Sequence, residues 1–282
     1  MRDFDGIRNH RYAMNRAHGK LDQEKTTMSD LQKAIEFSDV SFTLPDGKTL
    51  LSDLNLSVDQ GETLVLLGRS GSGKTTTMKL INRLIDPTAG TVQVEGKRTV
   101  DWDPIRLRRR IGYVIQEIGL FPHLTVEENI GVVPRLENWP AERIKERARA
   151  LLTLVGLDAD RFAARFPREL SGGQRQRIGV ARALAADPPV ILLDEPFGAL
   201  DPITRREIQR EFKTLQQELK KTMIFVTHDI AEAFVLGTRI ALLKDGQLIL
   251  LDEPQALLRS QHPEARAFAE CFNDAQGSGS RA

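Results

Sequence analysis

A single cysteine, Cys271, is all that 282 residues contain. An internal disulfide and a cysteine zinc cluster are thereby excluded, and a reducing cytoplasm is the simplest setting. No stretch approaches the roughly 18 consecutive apolar residues that cross a bilayer, so the chain does not read as a membrane span. Neither sign of charge is in excess: 40 Lys and Arg stand against 39 Asp and Glu. That balance argues against a nucleic-acid binder, which usually carries a strong basic excess. Residues 1–33 lack both a hydrophobic period and the apolar centre of a signal peptide. They read as a flexible arm, with Met28 a second candidate start. No internal repeat appears, and Gly277-Ser278-Gly279-Ser280 reads as a frayed end.

What is present is an ordinary globular composition, long enough to bury a substantial core. Ile35 and Phe37 alternate with polar neighbours, and Val40, Phe42 and Leu44 do so one register later, before a turn at Pro45-Asp46-Gly47. The continuous apolar runs Thr63–Leu67, Val190–Leu193 and Met223–Val226 suit strands covered on both faces. Met78, Ile81, Leu84 and Ile85 predict a helix running to Asp86-Pro87. Ile208, Phe212, Leu215 and Leu219 predict another, and Ile230–Leu236 a third. Strands alternating with helices imply a parallel α/β sheet. A hairpin is expected from Ile240–Leu243 to Leu248–Leu251 around Asp245-Gly246. Between about 119 and 186 the pattern is helical only, with capping-box spacing at Thr125 and Glu128 and a cap at Ser171. A helical lobe inserted into an α/β core is the organisation this implies.

Gly68-Arg69-Ser70-Gly71-Ser72-Gly73-Lys74-Thr75 fits G-x-x-x-x-G-K-[ST]. Glycines let backbone N–H groups close around a triphosphate, and the following helix adds its positive dipole end. Lys74 would pair the β- and γ-phosphates, and the Thr75 hydroxyl, with Thr76 beside it, would face Mg²⁺ and phosphate. Val190–Leu193 leads into Asp194 and Glu195. Ligands of open parallel sheets bind at the carboxyl ends of strands, so Asp194 is a candidate Mg²⁺ ligand and Glu195 a candidate base for the attacking water. Leu170-Ser171-Gly172-Gly173-Gln174 offers a second helix start suited to phosphate. Read alone, that pentapeptide is more readily a plain capped helix, His228 a surface histidine at a strand end, and Gln116 a polar strand residue.

Taken together, residues 35–255, about four-fifths of the chain, resemble the ATP-binding cassette family. Gly68–Thr75, Gln116, Leu170–Gln174, Val190–Glu195, Asp201 and His228 follow the family's motif order. The resemblance implies a P-loop NTPase (RecA-like) core with an antiparallel β subdomain and an inserted all-helical signature subdomain at about 119–186. Residues 256–282 would form a C-terminal helix and flexible tail. It also implies a head-to-tail homodimer with two ATP molecules sandwiched between phosphate loop and partner signature. His228 would contact the γ-phosphate, Gln116 would sense Mg²⁺ and the γ-phosphate, and Asp201 would line the dimer seam. Where the family usually stacks an aromatic on adenine, this sequence has Leu44, with Phe42 the nearest aromatic.

Ile111–Ile130, Val132-Val133-Pro134, Ala185–Pro189 and Phe197–Thr204 look closest to importers of quaternary-amine osmolytes such as glycine betaine, choline and carnitine. That likeness implies integral membrane permease subunits, indirectly a substrate-binding protein, and a place at the cytoplasmic face of the bacterial inner membrane. Members of this branch often add tandem regulatory domains; the sequence ends soon after Phe272, so intrinsic ionic-strength sensing is not expected. The apolar stretch between Gln116 and Pro134 would border a groove for a permease helix, or pack within the lobe. Arg106, Arg108, Arg109 and Arg110 read as a solvated face. Alternatives are a cassette ATPase serving another small solute, an exporter subunit, or a DNA-maintenance ATPase. The last usually inserts coiled coils or zinc modules, for which the compact lobe has no room. One phosphate loop and one signature exclude a paired-cassette translation factor.

Overall fold

The computed structural model describes residues 32–116, 119–198 and 200–277. Of the arm read over residues 1–33, residues 1–31 fall outside that range, while Lys33 already belongs to a strand; of the frayed end read at 277–280, Gly277 closes the last helix and the rest fall outside.

The chain opens with two long antiparallel strands, β1 (Lys33–Thr43) and β2 (Thr49–Asp59). Their turn closes as Pro45–Gly47 predicts, with Gly47 N–H donating to Leu44 O and Lys48 N–H to the Asp46 side chain. The one-residue slip in the apolar alternation of β1 is a bulge. The pairing shifts between Phe37 and Val40, where Asp39 takes a φ of 50°. A bulge of this kind re-aims every later side chain, so Val40 returns to the buried face.

The buried strand β3 (Thr63–Leu67) then leads through the glycine loop into α1 (Lys74–Ile81). β4 (Ala89–Val94) and β5 (Lys97–Arg98) complete a four-stranded sheet in the order β2-β1-β4-β5. After α2 (Pro104–Arg110), β6 (Ile111–Val114) enters the main sheet. The segment that follows holds α3 (Val126–Ile130), α4 (Val132–Leu136), α5 (Ala141–Leu154), α6 (Ala159–Phe162) and α7 (Gly172–Leu184). The rest alternates: β7 (Val190–Asp194), α8 (Pro202–Leu219), β8 (Thr222–Thr227), α9 (Ile230–Leu236) and β9 (Arg239–Lys244). β10 (Gln247–Asp252), α10 (Pro254–Arg259) and α11 (Pro263–Gly277) close the chain.

The main sheet runs β10-β9-β3-β8-β7-β6, parallel except for the β9–β10 hairpin. Alternate side chains of its buried strands sort into two cores. Val65, Leu67, Ile191, Leu193, Met223 and Phe225 face the helices α3, α5, α7, α8, α9 and α11. Leu64, Leu66, Leu192, Ile224 and Val226 face α1, α2 and the antiparallel sheet. Strands covered on both sides must be apolar throughout, which is why β3, β7 and β8 show no polar alternation.

One expectation changes. Helix α1 ends at Ile81, not at Ile85: Arg83 turns left-handed at φ 51°, and the N–H groups of Arg83 and Leu84 close back onto Leu80 O and Lys79 O. That is the Schellman closure, here made without glycine. The arginine cluster on α2 lies mostly exposed, as read, and is also paired there: Arg108 donates to Asn82 O and Arg83 O, and Arg109 and Arg110 pair with Glu137 and Glu95. Phe42 packs partly buried against the second core. Among the described residues, no helix is long and apolar enough to cross a membrane.

Candidate nucleotide site

β3 delivers the glycine loop to the carboxyl end of the parallel sheet, the position at which α/β sheets bind ligands. The loop is wedged against its neighbours. A Cβ at Gly68 would sit 2.3 Å from Leu243 O, at the end of β9. Gly73, which starts α1, holds a φ of 102°, and a Cβ there would lie 2.6 Å from a Leu51 methyl. Lys74 is only 5% exposed, and its ammonium donates to Gly68 O at 2.7 Å and Arg69 O at 2.8 Å. Burial lowers its pKa, opposed by the nearby charges of Glu195 and Asp194. The Ser72 hydroxyl is buried and meets no partner among the described residues. A buried polar group rarely stays unpaired, so an acceptor from outside the protein fits this loop.

β7 lies between β6 and β8 and carries Asp194 to the same sheet end. The exposed Thr75 hydroxyl donates to Asp194 Oδ1 at 3.3 Å. Burial raises the Asp194 pKa, and Glu195 adds to it, while Thr75, Lys79 and Lys74 act against it. Tyr113, on β6, lies beside Asp194; burial first and then the carboxylate push its phenol up to about 12. Beyond the strand, Glu195 adopts a φ of 43°, a left-handed conformation costly for a side chain with a Cβ. There, Gln116 Nε2 donates to Glu195 Oε2 at 3.3 Å, and His228 Nδ1 lies 3.4 Å from the same oxygen. Three candidate residues from three strand ends thus meet at one atom. Thr75, Asp194 and Gln116 offer hard oxygen donors of the kind Mg²⁺ prefers. Among the described residues no group of three or more His, Cys, Asp or Glu forms a metal cage. Such an ion would therefore draw its remaining ligands from phosphate and water, its usual habit.

Ser171 caps α7 with the reciprocal box to Gln174: the Gln174 N–H donates to Ser171 Oγ and the Ser171 N–H to Gln174 Oε1. Gly173 is buried against α8, where a Cβ would come within 3.1 Å of Ile208 and Thr204 methyls. Gly172 stays partly open. Among the described residues no hydrogen bond or ion pair joins this helix start to Gly68–Thr75. Asp201 caps α8, accepting from the N–H groups of Ile203 and Thr204 at 3.1 Å each. Ser70 and Gly71 are exposed on the loop, and Thr76 is half-buried on α1.

Sequence reasoning missed two supports. Tyr113 shows only as a polar tip in an otherwise apolar strand. Glu232 is buried on α9, where it accepts from Thr227 Oγ1 at 2.5 Å and Gln209 Nε2 at 3.0 Å, and burial raises its pKa. The same Thr227 oxygen accepts from Asp229 N–H, so both flanks of His228 are held. An acid within a helical pattern carries no signal of that role.

The choline transport ATP-binding protein OpuBA of Bacillus subtilis is 54% identical over 238 residues, 84% of this chain and 61% of that protein. The glycine betaine uptake system ATP-binding protein YehX of Escherichia coli is 47% identical over 224 residues, 79% of this chain and 72% of that one. The chain thus spans about 60% of the length of OpuBA. Among solved structures, the ATP-binding cassette MJ0796, a dimer in a post-hydrolysis state with ADP and Pi, aligns with a TM-score of 0.70 at 38% identity. That alignment covers 78% of this chain and 98% of the cassette. The ABC transporter family profile matches residues 51–198, from β2 through the acidic strand end. By motif order, fold and relatives alike, this chain belongs to the ABC transporter family.

Proposed function

We propose that the chain is the ATP-hydrolysing subunit of a bacterial importer for a quaternary-amine compatible solute of the glycine betaine, choline or carnitine type. The meeting of Gln116, Glu195 and His228 at one carboxylate oxygen, beside the phosphate loop, carries the ATPase part of this reading. The substrate class rests on the likeness to transport proteins for choline and glycine betaine.

In this reading Ser70, Gly71, Ser72, Gly73 and Thr76 line the phosphates and Lys74 neutralises the β and γ groups. Glu195 Oε2 accepts a proton from the attacking water, which Gln116 and His228 orient. The bond from the γ-phosphorus to its bridging oxygen breaks, and ADP leaves. Thr75, Asp194 and Gln116 would hold Mg²⁺, which when bound supplies neutralisation of phosphate charge. The contacts of Gln116 and His228 to Glu195 Oε2 hold its carboxylate in one direction, so reorganisation during the reaction is small.

The Ser171–Gln174 helix start, exposed at Ser171 and without a hydrogen bond or ion pair to its own phosphate loop among the described residues, supports a head-to-tail homodimer. There the Ser171–Gln174 helix end of one copy completes the site of the other, and Asp201 lies at the seam. The dimeric form of MJ0796 supports the same arrangement. A groove of about 290 Å³, bordered by Tyr113, Phe121, Val132, Val133 and Arg182, supports docking of a permease helix at the cytoplasmic face of the inner membrane. The test is Glu195→Gln. It should bind ATP, form an ATP-dependent dimer on gel filtration, and lose hydrolysis by ~10²–10⁴-fold. Hydrolysis at the unmodified rate would refute the assignment.

A further inference from the structure

Arg69, inside the phosphate loop, does not reach only into solvent. Its Nε donates to Glu264 Oε1 at 2.6 Å, across 195 residues of sequence. Glu264 stands in the first turn of α11, and its side chain is 9% exposed. Its other oxygen lies 3.7 Å from Lys244 Nζ, at the end of β9, one residue past the Leu243 carbonyl that crowds Gly68. The main chain of Arg69 is equally engaged, since Arg69 O accepts from Lys74 Nζ and from Ser72 N–H. One residue thus ties the catalytic lysine to a carboxylate on α11.

The far part of α11 meets the other half of the site. Phe272 stacks on Phe234 of α9, with ring centroids 4.4 Å apart and planes at 22°. Helix α9 begins two residues after His228. Between these contacts Ala265 and Ala269 are buried in the core on the helix-covered face of the sheet. A single helix therefore braces the phosphate loop at one end and the helix behind His228 at the other.

We infer that Glu264 is a positioning residue for ATP binding, and that α11 and the nucleotide stabilise each other through the Arg69–Glu264 pair. The inference rests on the ATP-binding reading above. Glu264 holds the Arg69 side chain, and with it the carbonyl that orders Lys74, before nucleotide arrives. Preorganisation of this kind raises affinity without adding a contact to the ligand. Coupling between two sites is reciprocal, so ATP must in turn tighten α11.

Two readouts on the full chain test this. Equilibrium binding of a fluorescent ATP analogue is compared in wild type, Glu264→Gln, Arg69→Gln and the double variant. Arg69 is largely exposed and the ion pair is screened, so Glu264→Gln should weaken binding by roughly threefold to tenfold, with kcat within about twofold. The double variant should cost no more than Arg69→Gln alone, as coupled residues are non-additive. Arg69→Gln keeps the test alive if Glu264→Gln fails to fold. The second readout uses Cys271, the lone thiol, exposed on α11 seven residues beyond Glu264. ATP should slow its alkylation at least about twofold in a Glu195→Gln background, and not once Glu264→Gln is added. Unchanged affinity in both single variants, strictly additive losses, or nucleotide-blind alkylation would each overturn the inference. A lower melting temperature with intact ATP affinity would reduce Glu264 to a purely structural role. Failure of the wild type to bind ATP would instead strike the functional reading itself.

Discussion

Two glycines of the phosphate loop share a backbone conformation but not surroundings, which separates strain from crowding. Gly71 has φ 81° with nothing within 4 Å of the point an added Cβ would occupy, whereas Gly73 has φ 102° with a Leu51 methyl at 2.6 Å and Leu50 O at 3.1 Å. Alanine at Gly71 carries only the left-handed penalty, ~1–2 kcal/mol. Alanine at Gly73 carries the same penalty plus displacement of the buried Leu51 side chain of β2, with a small shift at Leu50 O, an overpacking that costs ~1–3 kcal/mol more. The sum, ~2–5 kcal/mol, is a large share of the ~5–15 kcal/mol that stabilises a typical domain. Urea unfolding followed by circular dichroism should therefore show a modest midpoint shift for Gly71→Ala and a clearly larger one for Gly73→Ala, with slopes unchanged. ATP affinity should fall in both, because each displaces loop N–H groups. Equal midpoints for the two variants, or a larger loss at Gly71, would show that β2 does not wedge the loop, and the packing argument would fail.

The phenol of Tyr113 supplies a pH test. The protein has two tyrosines, Tyr12 and Tyr113, and the pKa of Tyr113 is pushed up to about 12. A raised folded-state pKa means the native state holds the proton more tightly, so this contribution is complete below about pH 10 and is lost as pH climbs towards 12. Ultraviolet titration should show one late-ionising tyrosine that disappears in Tyr113→Phe, and a titration with two ordinary phenols would contradict it. Asn129 is fully buried, and its amide donates to Phe121 O, Leu124 O and Thr125 O while accepting from Phe121 N–H. Asn129→Ala leaves several of these groups unpaired, at ~1–3 kcal/mol, and should make the 121–125 loop a preferred site of limited proteolysis. Cleavage there no faster than in wild type would refute it.

Much of the architecture was legible because its causes are local. The glycine spacing of 68–73, the Thr125 and Ser171 caps, the Asp245-Gly246 turn and the fully apolar strands each express sterics or hydrogen bonding within a few residues. Even the bulge at Asp39 left a trace, as a slip in the alternation of β1. The end of α1 did not. Leu84 and Ile85 continue the helical period, but a left-handed Arg83 closes the helix with its own backbone, and arginine advertises no such turn.

The residue types and motif order, then, settled the family: a glycine loop, an acidic strand end and a capped signature helix are written in neighbouring residues. Only the folded sheet decided who meets whom. Gln116 and Glu195 stand 79 positions apart and touch because β6 and β7 are parallel neighbours that end together. Tyr113 and Asp194 were brought together by the same two neighbouring strands, and Arg69 and Glu264, 195 positions apart, by the packing of α11 beside the phosphate loop, since such contacts depend on which elements lie side by side.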